Sequence, residues 1–78
     1  MRIPKEVQIR VLVAKKEESF LQSLLESHEG LTMILSTKRK GDEIEMLLSS
    51  SESFKGELLE VLQDLSSQIP LGFWEVEE

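Results

Sequence analysis

The chain has 78 residues, no cysteine, a single histidine and a formal net charge of −6. This length accommodates one domain, taken as residues 1–78, and the composition excludes disulfides and thiolate metal sites; His28 alone cannot build a zinc centre. The acidic balance, with a pI near 4.8, argues against DNA or RNA as a partner, because phosphate neutralisation needs a surplus of Lys and Arg.

In chain order, Val7 to Ala14 predicts a first strand. Val7, Ile9, Val11 and Val13 alternate with Glu6, Gln8 and Arg10, the period of two that a half-buried strand requires. Lys15 and Lys16 turn the chain. Glu17 to Glu29 predicts a helix, with Phe20, Leu21, Leu24, Leu25 and His28 on one stripe of a 3.6-residue period. Glu17 and Glu18 suit the positive end of its dipole, Ser19 with Gln22 offers a capping box for a later start, and Gly30 is the expected left-handed stop. Leu31–Thr37 and Glu43–Ser49 predict a hairpin around Lys38-Arg39-Lys40-Gly41-Asp42. Leu31, Met33 and Leu35 supply the inward face of its first strand; Ile44, Met46 and Leu48 supply that of the second.

The serine-rich stretch Ser49-Ser50-Ser51-Glu52-Ser53 offers N-cap hydroxyls for a second helix. That helix carries Phe54, Leu58, Val61, Leu62, Leu65 and Ile69 on one stripe and stops at Pro70. Its leucines are expected to share a core with Phe20, Leu24, Val11 and Ile44. Leu71 to Val76 predicts the last strand, followed by an acidic tail of Glu75, Glu77 and Glu78. The order is βαββαβ. Two singly amphipathic helices bury their stripes on a common face of a four-stranded sheet. Right-handed crossovers then give an α+β, ferredoxin-like antiparallel sheet with strand order 4-1-3-2.

That topology brings Lys15 and Lys16, after strand 1, toward Lys38, Arg39 and Lys40 of the hairpin. A helix N-terminus opens at the same edge, so a small anion or metabolite is one candidate ligand there. Glu17, Glu18, Asp42 and Glu43 lie among these cations and nearly neutralise them, which favours a solvated turn. His28 sits where the helix dipole favours a cation and has no positioned base partner. The carboxylates lack the spacing of a calcium loop, the serines lack a GxSxG setting, and the glycines stand singly, without a phosphate loop. No catalytic constellation is found, so neither an enzyme nor a cofactor is expected.

A different set carries an interaction signal. Leu12, Ile34 and Leu47 are out of phase with the inward residues of their strands. Trp74 and Val76 share one face of the last strand while Leu71 and Phe73 share the other. Leu12, Ile34, Leu47, Trp74 and Val76 are the candidate interface on the helix-free side of the sheet, the sequence leaving open which pair of the last strand points outward. A domain of this size buries only about 60% of the surface its unfolded chain exposes, and a partner subunit is one way to supplement so small a core. A homodimer is expected, with a further protein partner as the other possibility.

The βαββαβ order with a short loop after strand 1 resembles the ACT-like group of regulatory domains, which often pair through their sheets. The segments Leu25-Glu26-Ser27-His28-Glu29-Gly30-Leu31 and Lys40-Gly41-Asp42-Glu43-Ile44-Glu45, within Leu24 to Leu65, also resemble a family of short bacterial domains of uncharacterised activity. ACT domains that bind amino acids usually carry a glycine after strand 1, and Ala14-Lys15-Lys16-Glu17-Glu18 has none. RNA-recognition motifs share the topology but stack bases on aromatics in strands 1 and 3, where this chain has none. Metal-carrying relatives need a CxxC and acylphosphatases a loop arginine, and both are missing. Met1 to Glu6 contains no apolar signal region, and the longest apolar run, Val11 to Ala14, is far too short to span a bilayer. The expectation is a cytoplasmic, non-catalytic regulatory or protein-interaction domain that self-associates; the second hypothesis is a small-anion or metabolite sensor at the basic edge.

Overall fold

The computed structural model describes residues 6–28 and 30–76. The alternation from Val7 to Val13 becomes strand β1 (Glu6–Ala14), followed by a 3-10 turn (Lys15–Glu17) and helix α1 (Glu18–Ser27). Strands β2 (Met33–Lys40) and β3 (Glu43–Ser51) form the hairpin. A second 3-10 turn (Glu52–Phe54) leads into helix α2 (Lys55–Ser66), and strand β4 (Leu71–Glu75) closes the chain. Among the described residues the sheet is four-stranded and antiparallel, ordered β2-β3-β1-β4, which from the opposite edge reads 4-1-3-2.

Ile9, Val11 and Val13 of β1 and Ile44, Met46 and Leu48 of β3 are almost completely buried. They form one cluster with Leu21 and Leu25 of α1 and Leu58, Leu62 and Leu65 of α2. Both helices thus cover the same face of the sheet. Each such side chain contributes about 1.5–3 kcal/mol relative to leaving it in water. Phe73 packs against this cluster and Trp74 does not, because β4 pairs Phe73 with the inward Val11 and Trp74 with the outward Arg10.

Several sequence expectations are corrected. Phe20, expected in the core, is 46% exposed. Leu21 and Leu25 face the sheet directly, and Phe20 lies about 100° round the helix from Leu21. Phe54 is likewise exposed, because it belongs to the 3-10 turn and not to the body of α2. Leu31 is buried as expected, but strand β2 begins in the opposite phase to the one expected. Ile34 pairs with the buried Leu48 and packs against the core, whereas Met33 is 66% exposed. A register shift between Ile34 and Ser36 leaves Leu35 as the extra, exposed residue of a bulge, so alternation alone misassigns both sides.

The serines do not cap helices. β3 runs on to Ser51, and no side chain caps α2. The Ser50 hydroxyl donates instead to the Leu31 carbonyl at 2.7 Å inside the core, and Ser49 Oγ donates to Glu6 Oε1 at 2.6 Å. The capping box of Ser19 and Gln22 does not form either; α1 begins at Glu18 without a side-chain cap. The hairpin turn is shorter than expected, because Lys38, Arg39 and Lys40 are in the strand and the chain reverses at Gly41, whose φ of 63° suits glycine. Gly30 has φ 79° as a left-handed stop after α1. The expected helix end at Glu29, and the tail residues Glu77 and Glu78, lie outside the described residues.

Candidate interaction surface

Strand pairing fixes which residues share the helix-free face. Ser36, Leu47, Arg10 and Trp74 stand side by side across β2, β3, β1 and β4. Lys38, Glu45, Leu12 and Gly72 form the neighbouring row. Leu12 and Leu47 are half-buried there, and Trp74 is 46% exposed. Of the expected interface residues, Leu12, Leu47 and Trp74 are brought together. Ile34 is not, since the β2 bulge sends it to the helix side. Val76 lies just past β4, half-buried, with its N–H donating to the Gln8 carbonyl at 2.8 Å.

Sequence reasoning missed the charged centre of this face. The Glu45 side chain is only 11% exposed and lies 3.3 Å from Arg10 Nη1 and 3.4 Å from Lys40 Nζ. Desolvation would raise its pKa. The hydrogen bond and charge of Lys40, joined by those of Arg10, outweigh that and hold the carboxyl below its ordinary value. The signal was available: opposite charges at cross-strand positions on one face pair with each other. It needed the register, which the hairpin turn sets.

The five candidate anion-binding cations do gather at one end of the sheet, where the Lys15 N–H donates to the Asp42 carbonyl at 2.7 Å. They do not converge on one point. Lys38 and Lys40 pair with the outward Glu45 and Glu43, while Arg39 pairs with the inward Ile44. Arg39 meets Glu18 of α1 at 3.8 Å, and Lys40 is held by Glu45. Lys15 and Lys16 are exposed on the 3-10 turn. Two of the five are thus matched to carboxylates, Arg39 to the expected Glu18 and Lys40 to Glu45, which was not among the acids expected there.

Among the described residues, grooves lie on the helix side. One of about 410 Å³ runs between α1 and β2, over Leu25 and Ile34, with Gln22, Glu26, Thr32 and Thr37 at its walls. A smaller one of about 220 Å³ lies between the helices, where Phe20 and Leu24 face Val61 and where His28 and Asp64 also reach. No group of three or more His, Cys, Asp or Glu side chains able to hold a metal occurs among the described residues. No helix of the described residues is long and apolar enough to cross a membrane. No family model matches the chain, and neither a curated protein nor a solved structure is significantly similar to it.

Proposed function

We propose that this chain is a non-catalytic, ferredoxin-like interaction domain of regulatory type, cytoplasmic, that self-associates through the helix-free face of its sheet. One observation carries the reading. Trp74, the largest side chain in the sequence, stands 46% exposed on the side of the sheet away from both helices, with the half-buried Leu12 diagonal to it and Leu47 beyond Arg10. Aromatic side chains supply the largest contact area per residue at interfaces. Glu45, the carboxylate at the centre of this face, is already matched by Arg10 and Lys40, so covering it does not leave that charge unpaired.

The dimensions agree with this use. At ~4.8 Å between strands and ~3.3 Å per residue, such a sheet offers on the order of 500 Å² per copy. Two copies face to face then bury about 1,000 Å², the lower bound of a specific interface. Sedimentation velocity at roughly tens of micromolar is expected to give a dimer, and Leu12→Lys a monomer, since each copy would place an added ammonium in the middle of the covered face. A monomeric unmodified chain would sink the reading.

A further inference from the structure

Gly72 is the unexplained residue of β4. A glycine inside a strand costs backbone entropy and leaves nothing to bury; where it persists it commonly marks a bulge, a bend or a close approach by another group. The β1–β4 register passes through Leu12↔Gly72 without a shift, so there is no bulge. Its φ is not in the left-handed region. A Cβ added at Gly72 meets nothing within 4 Å in its own chain. Nothing among the described residues requires a glycine at that position.

Two residues further, on the same face, Trp74 stands 46% exposed. A notch and a knob therefore sit about 7 Å apart on one edge strand, at ~3.4 Å per residue. We infer that the dimer is isologous, with β4 of one copy crossing β4 of the other so that each Trp74 indole fills the space above the partner's Gly72. This inference rests on the self-association reading and adds the packing mode to it. Two-fold symmetry makes the two insertions obligatory together: an axis passing at the level of Phe73 carries Trp74 onto Gly72 and Gly72 onto Trp74.

The same rotation tests itself on the rest of the face. It lays the row Ser36, Leu47, Arg10, Trp74 over the partner's row Lys38, Glu45, Leu12, Gly72. Arg10 then stands over the partner's Leu12 and beside its Glu45, and Leu47 stands over that Glu45, which its own chain's Arg10 keeps matched at 3.3 Å. Lys38 lies over Ser36, Lys40 over Met33 and Glu43 over Ser49, so no charge is set directly over a like charge. A random superposition of a face this densely charged would oppose some of them.

Sedimentation of four variants decides the matter, alongside the thermal melt of each. Gly72→Val is expected to weaken the dimer at least about tenfold while the monomer melts no lower, because the site is open and a β-branched residue suits a strand. Trp74→Ala is expected to weaken association by a similar factor. Exchange of the two, Gly72→Trp with Trp74→Gly, keeps one knob and one notch in each copy and should restore affinity to within about tenfold of the unmodified chain. Leu12→Lys, which sets an ammonium against the partner's Arg10, serves as the control for the face as a whole. A dimer that Leu12→Lys dissociates but Gly72→Val leaves intact overturns this packing and keeps the self-association reading. An exchange variant no tighter than the single variants overturns it too, whereas a monomeric unmodified chain removes both.

Discussion

The two faces of one sheet share every backbone hydrogen bond and differ in almost everything else. Toward the helices, β1 and β3 present apolar side chains from Ile9 and Leu48 to Val13 and Ile44, none more than 1% exposed, with Ser50 the buried polar residue beyond them. Toward the open side, the same strands interleave Leu12 and Leu47 with Arg10 and Glu45. The first face supplies the burial that holds the fold together. The second carries charge in fixed positions, which contributes little to stability but decides what can lie against it. The difference is energetic, and it can be measured residue by residue.

The largest effect is expected on the covered face. Leu62 of α2 is fully buried, and Leu62→Ala should cost about 2–5 kcal/mol, a large fraction of the stability of a domain this small. Leu47→Ala on the open face should cost less than about 1 kcal/mol in the monomer. Urea melts at a concentration too low for association separate the two. Equal losses would mean that the two faces are not as unlike as their burial says.

A middle-sized effect sharpens the comparison where sequence and structure part. On β2 the bulge at Leu35 exchanges the roles of neighbouring residues. Ile34→Ala should cost about 1–2 kcal/mol, less than a fully buried site because Ile34 is only half-buried. Met33→Ser, at an exposed position, should stay within about 0.5 kcal/mol. The reverse ranking would restore the regular alternation and move Ile34 back to the open face.

What could be read from the sequence follows from the same physics. β1, β3 and α2 repeat their apolar residues without interruption, so period alone places Val11, Ile44 and Leu62 in the core. The outward placement of Leu12 and Leu47 is legible for the same reason; which of Phe73 and Trp74 points outward is not, because both faces of β4 are apolar and only its pairing with β1 decides. Ile34 is not, because a single extra residue inverts the side of a strand and leaves no mark in hydropathy. Phe20 is not, because α1 carries more apolar residues than one sheet-facing row holds, and Phe20 and Leu24 belong to a second row that faces α2. The Arg10–Glu45–Lys40 cluster is hidden for another reason: it joins three strands, and only the register puts those side chains within reach.

The smallest expected effect lies in that cluster and concerns pH. Glu45 is held below its ordinary pKa in the folded chain by Lys40 and Arg10, against the opposing pull of desolvation. A carboxyl with a depressed folded pKa binds its proton more readily when unfolded, so its contribution to stability is complete above the unfolded value. It disappears as pH falls through the lower, folded value. Glu45→Gln removes this dependence while keeping the shape of the side chain. The unmodified chain should therefore lose more stability than Glu45→Gln between about pH 5 and pH 3, and ~1 M salt should narrow the gap, since Lys40 is largely exposed. Urea melts across that range, run at a concentration that keeps the chain monomeric, give the two curves directly. Parallel curves would show that the charges on the open face are not coupled in solution. Diverging curves would show that this face, though it contributes little to the core, is electrostatically organised before any partner arrives.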